Sequence, residues 1–92
     1  MNDNIDVEHI SAEIEKLTKW NTVNGALERD FTFIDFKKAL VFILEVGIRS
    51  EIVDHHPEIY NVYNTVKIRL STHTTNSITI KDIELAKQID LI

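Results

Sequence analysis

The chain contains a single proline, Pro57, and it stands just beyond the longest stretch of helical periodicity. Proline cannot continue a helix, and it biases the residue before it, His56, toward extended backbone, so a helix approaching from upstream must end within a few residues of Asp54. Upstream of that stop, Phe36, Ala39, Leu40, Ile43, Val46 and Gly47 form a broad apolar stripe at 3.6-residue spacing, with Asp35 placed to cap its start. The spacing predicts a helix over residues 35–52 that leaves a strand-rich arm on either side.

The first arm reads as a hairpin. Trp20 to Val23 is extended, and Asn24-Gly25 is the dipeptide best suited to the positive φ angles of a two-residue type I′ turn. In the return strand, Ala26 to Phe33, alternation puts Leu27, Arg29, Phe31 and Phe33 on one face and Glu28, Asp30 and Thr32 on the other, with Arg29 the exception on its face. After Pro57, Tyr60, Val62, Val66, Ile68 and Leu70 alternate with polar partners, which predicts a second hairpin turning near Asn64.

Two shorter helices complete the reading. Ile10, Ile14 and Leu17 behind Ser11 predict a helix over 11–18, preceded by a polar tail over residues 1–9. Thr79 and Asp82 have the spacing of a capping box ahead of Ile83, Ala86 and Ile89. The order α-β-β-α-β-β-α places the chain in the α+β class: one domain over residues 1–92, a four-stranded antiparallel sheet with three helices packed on one face.

Composition narrows the function. With 92 residues, 43% hydrophobic and 27% charged, the chain suits one globular domain with a modest core, and association of copies is expected to supplement it. No cysteine is present, which removes disulfides, thiolate nucleophiles and sulfur-ligated zinc and fits a reducing compartment. The start lacks the basic and apolar regions of a secretory signal, and the longest apolar run, Ala39 to Leu44, is far below the ~20 residues that span a bilayer. A soluble, cytoplasmic protein is expected. A net charge of −5 argues against binding a phosphate backbone.

Chemistry, if present, belongs to the histidines. His55 and His56 sit at the exit of the long helix, and His73 lies beyond the last strand on the face shared by Lys67, Arg69 and Ser71, away from the core face of Val66, Ile68, Leu70 and Thr72. Imidazoles titrate near neutrality and both donate and accept protons, and a helix C-terminus with Glu51, Asp54 and Glu58 nearby favours the protonated form of the pair. Spacing alone favours a plainer reading, a polar helix terminus with a proline stop. A zinc site is a sharper rival, but adjacent histidines often point apart and no HExxH-like ligand spacing occurs. His9 reads as a solvated tail residue, Asp82 as a helix cap and Tyr63 as a strand aromatic.

Glu51, His55-His56-Pro57, Tyr63, His73 and Asp82, in that joint spacing, resemble the signature of the pterin-4a-carbinolamine dehydratases. Trp20, the segment LERDFTFIDFKKALVFILEV (Leu27 to Val46) and NVYNTVKIRLSTH (Asn61 to His73) are similar to that family as well, so the likeness runs from Ile10 onward. It implies a lyase that dehydrates 4a-hydroxytetrahydropterin, the carbinolamine released by aromatic amino acid hydroxylases, to quinonoid dihydropterin, supporting tetrahydrobiopterin recycling. The pterin is then the substrate, and neither cofactor nor metal is implied. The resemblance implies His55 and His73 for proton transfer on opposite sides of the pterin and His56 for holding the ring. Asp54, Ser71, Thr72 and Thr74 would line the site, and Glu51 would set its charge.

Three departures accompany the resemblance: Ile59 where many relatives carry Trp, Thr74 where an acidic residue usually follows the last histidine, and a loop from Thr74 to Ser77 without the family's glycines. The family also implies homodimers joined by sheet edges, and in some members homotetramers joined by long helices. Animal relatives serve as dimerisation cofactors of a homeodomain transcription factor, which leaves a non-enzymatic protein-binding role on the same fold as the alternative.

Overall fold

The computed structural model describes residues 3–92, with side chains from Glu8 onward. In chain order the elements are helix α1 (Asp3–Lys16), strands β1 (Asn21–Val23) and β2 (Ala26–Thr32), helix α2 (Phe36–Val53), strands β3 (Glu58–Val62) and β4 (Thr65–Leu70), and helix α3 (Ile80–Asp90). The strands form one antiparallel sheet in the order β1-β2-β4-β3, and the helices pack on one of its faces.

The two hairpins are locally encoded, and they join through their inner strands. Asn24 and Gly25 both take positive φ (48° and 78°), as a type I′ turn requires. The β2–β4 register sets Leu27 opposite Leu70, Arg29 opposite Ile68 and Phe31 opposite Val66. Because cross-strand partners share a face, Leu27, Val66, Ile68 and Leu70 form a continuous apolar floor. Leu17, Trp20, Val46, Ile83, Leu85 and Ile89 close over it from the helical side. Each fully buried aliphatic side chain contributes about 1.5–3 kcal/mol relative to exposure, so this layer holds the fold.

Arg29 lies on that inner face because its charge is answered there. Its Nη1 donates to Asp90 Oδ1 at 2.5 Å, Trp20 Nε1 donates to the same oxygen at 2.9 Å, and the guanidinium lies 4.3 Å from the Phe31 ring centroid. Phe31 and Phe33 in turn meet Phe42 of α2, with ring centroids 4.5 and 4.9 Å apart.

Several boundaries and faces differ from expectation. The first helix spans Asp3–Lys16 and not 11–18, so Ser11 is an interior residue and most of the expected tail is helical, while Met1 and Asn2 lie outside the described residues. Val7 continues the helical spacing of Ile10, Ile14 and Leu17 one turn further back, so an earlier start was partly written in the sequence, and Ser11 reads as a cap only when Val7 is passed over. On β3 the inward residues are Ile59 and Asn61, and Tyr60 and Val62 face outward, because Ile59 pairs with Ile68. Tyr63 occupies the turn and not the strand, with φ 48°. The inner face of α2 is Ala39, Phe42, Val46 and Ser50, whereas Phe36 and Leu40, expected inside, are about half exposed (45% and 47%).

Helix α1 is tied to α3 by charge. The Glu13 carboxylate accepts from Lys16 Nζ and Lys87 Nζ, each at 2.7 Å, and these two hydrogen bonds, Lys16 first, hold its pKa down from 4.5 to about 2. A depressed folded-state pKa stabilises the native state above the unfolded value, and the contribution fades as pH falls through the interval between the two. Wild-type protein is therefore expected to exceed Glu13→Gln in urea midpoint above pH 4.5, with the difference closing as pH approaches 2; a pH-independent difference contradicts this role.

Candidate active site

The sequence around Pro57 folds so that α2 ends abruptly and its last residues turn back on the molecule. Asp54 takes left-handed backbone (φ 52°, ψ 46°), and the His55 N–H donates to the Ser50 carbonyl at 3.0 Å. This closure satisfies carbonyls left open at the helix end, and it sends His55 toward the N-terminus of α3. There His55 Nε2 lies 2.5 Å from Asp82 Oδ1.

Asp82 is fully buried and saturated with donors. Its Oδ2 accepts from the Thr79 backbone N–H at 2.9 Å, completing the expected capping box, and from the Thr72 hydroxyl at 2.8 Å. The sequence reading gave Asp82 the cap alone. The structure adds the imidazole, and a signal for it was present: a capping-box acid lying among apolar core positions needs a partner for its second oxygen.

His73 arrives from the sheet. Beyond β4, Thr72 and Ser77 form an isolated antiparallel bridge, with N–H to O distances of 2.9 and 3.4 Å, closing a four-residue loop whose first member is His73. The loop needs one left-handed residue, and Asn76 supplies it at φ 52°, a conformation asparagine tolerates through its short polar side chain. The loop therefore turns without a glycine. Thr72 stays buried beneath, and His73 is exposed.

The outcome is a cleft of about 240 Å³ lined by Asp54, His55, His56, Thr72, His73, Thr74 and Lys81. The three histidines, drawn from two distant parts of the chain, share one surface. His56 Nε2 is hydrogen-bonded to Glu51 Oε2 on the last turn of α2, so Glu51 reaches the site through His56. Ser71 is half-buried and lies outside the lining residues. Lys81, which sequence reasoning missed, brings a cation to the rim.

Of the three imidazoles, His55 is the one fixed by a buried partner. A carboxylate oxygen only accepts, so the His55 Nε2 carries the proton of that bond and Nδ1 is the atom left for chemistry. His73 is exposed at the cleft and makes no side-chain hydrogen bond to another described residue. Two differently prepared imidazoles beside one cleft can pass a proton in each direction. No group of three or more His, Asp or Glu side chains is arranged to hold a metal ion among the described residues. A larger hollow, about 850 Å³, lies on the open face of the sheet between Glu28, Asp30, Tyr60, Lys67 and Arg69, but no histidine lines it.

Comparison with known proteins identifies the family. A family profile described as pterin 4 alpha carbinolamine dehydratase matches residues 3–92. The chain belongs to that family. A Bradyrhizobium protein that bears the pterin-4-alpha-carbinolamine dehydratase name provisionally is 44% identical over 93 residues, covering 94% of each chain. A second, from Paraburkholderia xenovorans, is 44% identical over 87 residues, covering 92% of this chain and 91% of the relative. Among solved structures, a transcriptional coactivator/pterin dehydratase from Brucella melitensis superposes with a TM-score of 0.83 at 34% identity over 89% of both chains. A pterin dehydratase-like RuBisCO assembly factor of the alpha-carboxysome matches with a TM-score of 0.64 at 20% identity, over 78% of this chain and 83% of that one, a likeness of fold alone.

Truncating Asp82 strands the Thr79 N–H, the Thr72 hydroxyl and the His55 imidazole together. Asp82→Ala is expected to cost about 3–5 kcal/mol in urea unfolding, and Asp82→Asn, which keeps an acceptor for the cap, distinctly less. A loss below about 1 kcal/mol for the alanine variant contradicts a structural role for this carboxylate.

Proposed function

We propose that this chain is a hydro-lyase that dehydrates 4a-hydroxytetrahydropterin to quinonoid dihydropterin by histidine acid–base catalysis. The observation that carries the reading is the Asp82–His55 pair beside an exposed His73 in one cleft. Family membership and the full-length likeness to dehydratase relatives support it.

In the proposed reaction the N5 lone pair forms the new C4a=N5 bond as the C4a–O bond breaks. His55, its Nε2–H held by Asp82, takes the N5 proton on Nδ1, and the resulting imidazolium is stabilised by the buried carboxylate. His73, protonated, delivers its proton to the departing hydroxyl, which leaves as water. The two protons balance, and exchange with solvent at the exposed His73 resets the pair. His56, steadied by Glu51, holds the ring, while Asp54, Thr72 and Thr74 offer polar contacts to it.

The carbinolamine is the product of aromatic amino acid hydroxylases, so the reading places this chain downstream of such an enzyme in tetrahydrobiopterin recycling, with no cofactor of its own. Assembly of the chain into homo-oligomers and a cytoplasmic location belong to the same proposal; among the described residues no helix is long and apolar enough to cross a membrane.

Each positioned acid or base typically contributes about 10²–10⁴-fold. His55→Ala and His73→Ala are each expected to lower kcat for carbinolamine dehydration by about that factor, with circular dichroism and melting temperature close to wild type for His73→Ala. Full turnover by either variant overturns the assignment. Unaltered turnover alongside lost capture of a protein partner favours the non-enzymatic role instead.

A further inference from the structure

Two threonine hydroxyls and a carboxylate at the start of α3 form a hydrogen-bond chain that runs in one direction. Thr79 Oγ1 and Thr72 Oγ1 lie 2.6 Å apart, and Thr72 Oγ1 lies 2.8 Å from Asp82 Oδ2. Distances alone leave the two hydroxyl protons unplaced, because a hydroxyl both donates and accepts. The ends of the chain place them. A carboxylate oxygen only accepts, so the Thr72 proton points to Asp82. At the other end Thr79 Oγ1 caps the helix and accepts from backbone N–H groups of the first turn, that of Lys81 at 3.3 Å among them. Its own proton is then left for Thr72.

Direction matters because of what Asp82 does with its second oxygen. Oδ2 is held at two points, by the Thr79 N–H at 2.9 Å and by the Thr72 hydroxyl at 2.8 Å, and two donors on one oxygen fix the rotation of the carboxylate. Oδ1 is thereby kept 2.5 Å from His55 Nε2. Were the Thr72 proton turned to Thr79 instead, Oδ2 would face a lone pair at that distance in a fully buried setting, where no water relieves the contact. Thr79 excludes that arrangement, because its proton already occupies the Thr72 oxygen on that side. Thr72 lines the cleft and Thr79 does not, so Thr79 reaches the chemistry only through the chain.

We propose that Thr79 is a positioning residue for His55, acting through Thr72 and Asp82. It sets the direction of the hydroxyl chain, the chain holds the carboxylate, and the carboxylate keeps the His55 proton on Nε2 and leaves Nδ1 for chemistry. A helix cap alone does not require threonine, since aspartate and asparagine cap as well; the chain requires one proton and two lone pairs on a single oxygen. The same chain restricts Thr72. Its only hydroxyl proton is committed to Asp82, so the hydroxyl meets a bound ring as an acceptor and not as a donor. The catalytic consequence rests on the role of His55 in the function proposed above, but the hydrogen-bond chain does not.

The test compares variants of the full chain by two readings, the ring N–H resonance of His55 in NMR spectra and the steady-state constants for carbinolamine dehydration. Thr79→Val keeps the shape of threonine and removes its hydroxyl. It is expected to lose the slowly exchanging His55 Nε2–H signal of the wild type and to lower kcat about tenfold, with KM within about twofold of wild type; Thr79→Ser is expected to restore both. Because the residues act in series, adding Thr79→Val to Thr72→Val is expected to lower kcat no further. Asp35→Ala, which removes the cap of α2 and its bond to the Lys38 N–H at 2.8 Å, is the control for lost stability. It is expected to lower the melting temperature as Thr79→Val does and to leave kcat and the His55 signal unchanged. A wild type without that signal, or a Thr79→Val protein with the signal intact or kcat undiminished, overturns the proposal. So does a loss of kcat that Asp35→Ala reproduces or Thr79→Ser fails to restore. A chain inactive on the carbinolamine refutes the proposed reaction alone, and the His55 signal still decides the positioning claim.

Discussion

One buried carboxylate ties the site to the fold. Asp82 closes the N-terminus of α3, accepts a hydroxyl from the end of the sheet and meets an imidazole from the end of α2. A full charge in the interior is tolerable only when its oxygens are saturated, and here the saturating donors come from three separate parts of the chain. The requirement to satisfy Asp82 is therefore also the requirement that brings His55 to Thr72 and the loop bearing His73. Stability and site geometry share the same hydrogen bonds.

That economy explains which features were legible in the sequence. Asn24-Gly25, Asp35, Pro57 and the Thr79–Asp82 box are local signals, and the turn, caps and helix stop they predict are where expected. The inward alternation of Val66, Ile68 and Leu70 was equally plain. The start of α1 was set too late, because Ser11 has the chemistry of a cap, although Val7 continues the spacing of Ile10, Ile14 and Leu17 one turn further back. Nor was the inner face of α2, since a helix with two apolar faces has no unique one until the sheet chooses. The parity of β3 failed for a related reason: Tyr60 and Val62 look like core residues, but pairing of Ile59 with Ile68 fixes the face. Convergence of the histidines was legible as a possibility through strand alternation, whereas the Asp82–His55 contact is tertiary and spans 27 residues.

The departures from the family pattern fall into different physical settings. Ile59 is half-buried against the core on the inner face of the sheet, so its change from an aromatic bears on packing. Thr74 lines the cleft, where the resemblance implies an acidic residue and this chain offers a hydroxyl. The missing loop glycines are answered by Asn76 in left-handed backbone. The likeness to a RuBisCO assembly factor shows how widely this fold is used, which puts the weight of a functional reading on the cleft.

The claim that the imidazole cleft, and not the broader hollow on the sheet, receives a pterin is tested by titrating the protein with dihydrobiopterin and following imidazole and backbone signals by NMR. The account expects the His55, His56 and His73 rings to respond together, with Thr72 and Thr74 beside them. Saturable binding that moves Tyr60, Lys67 and Arg69 while the three imidazoles stay still would contradict it.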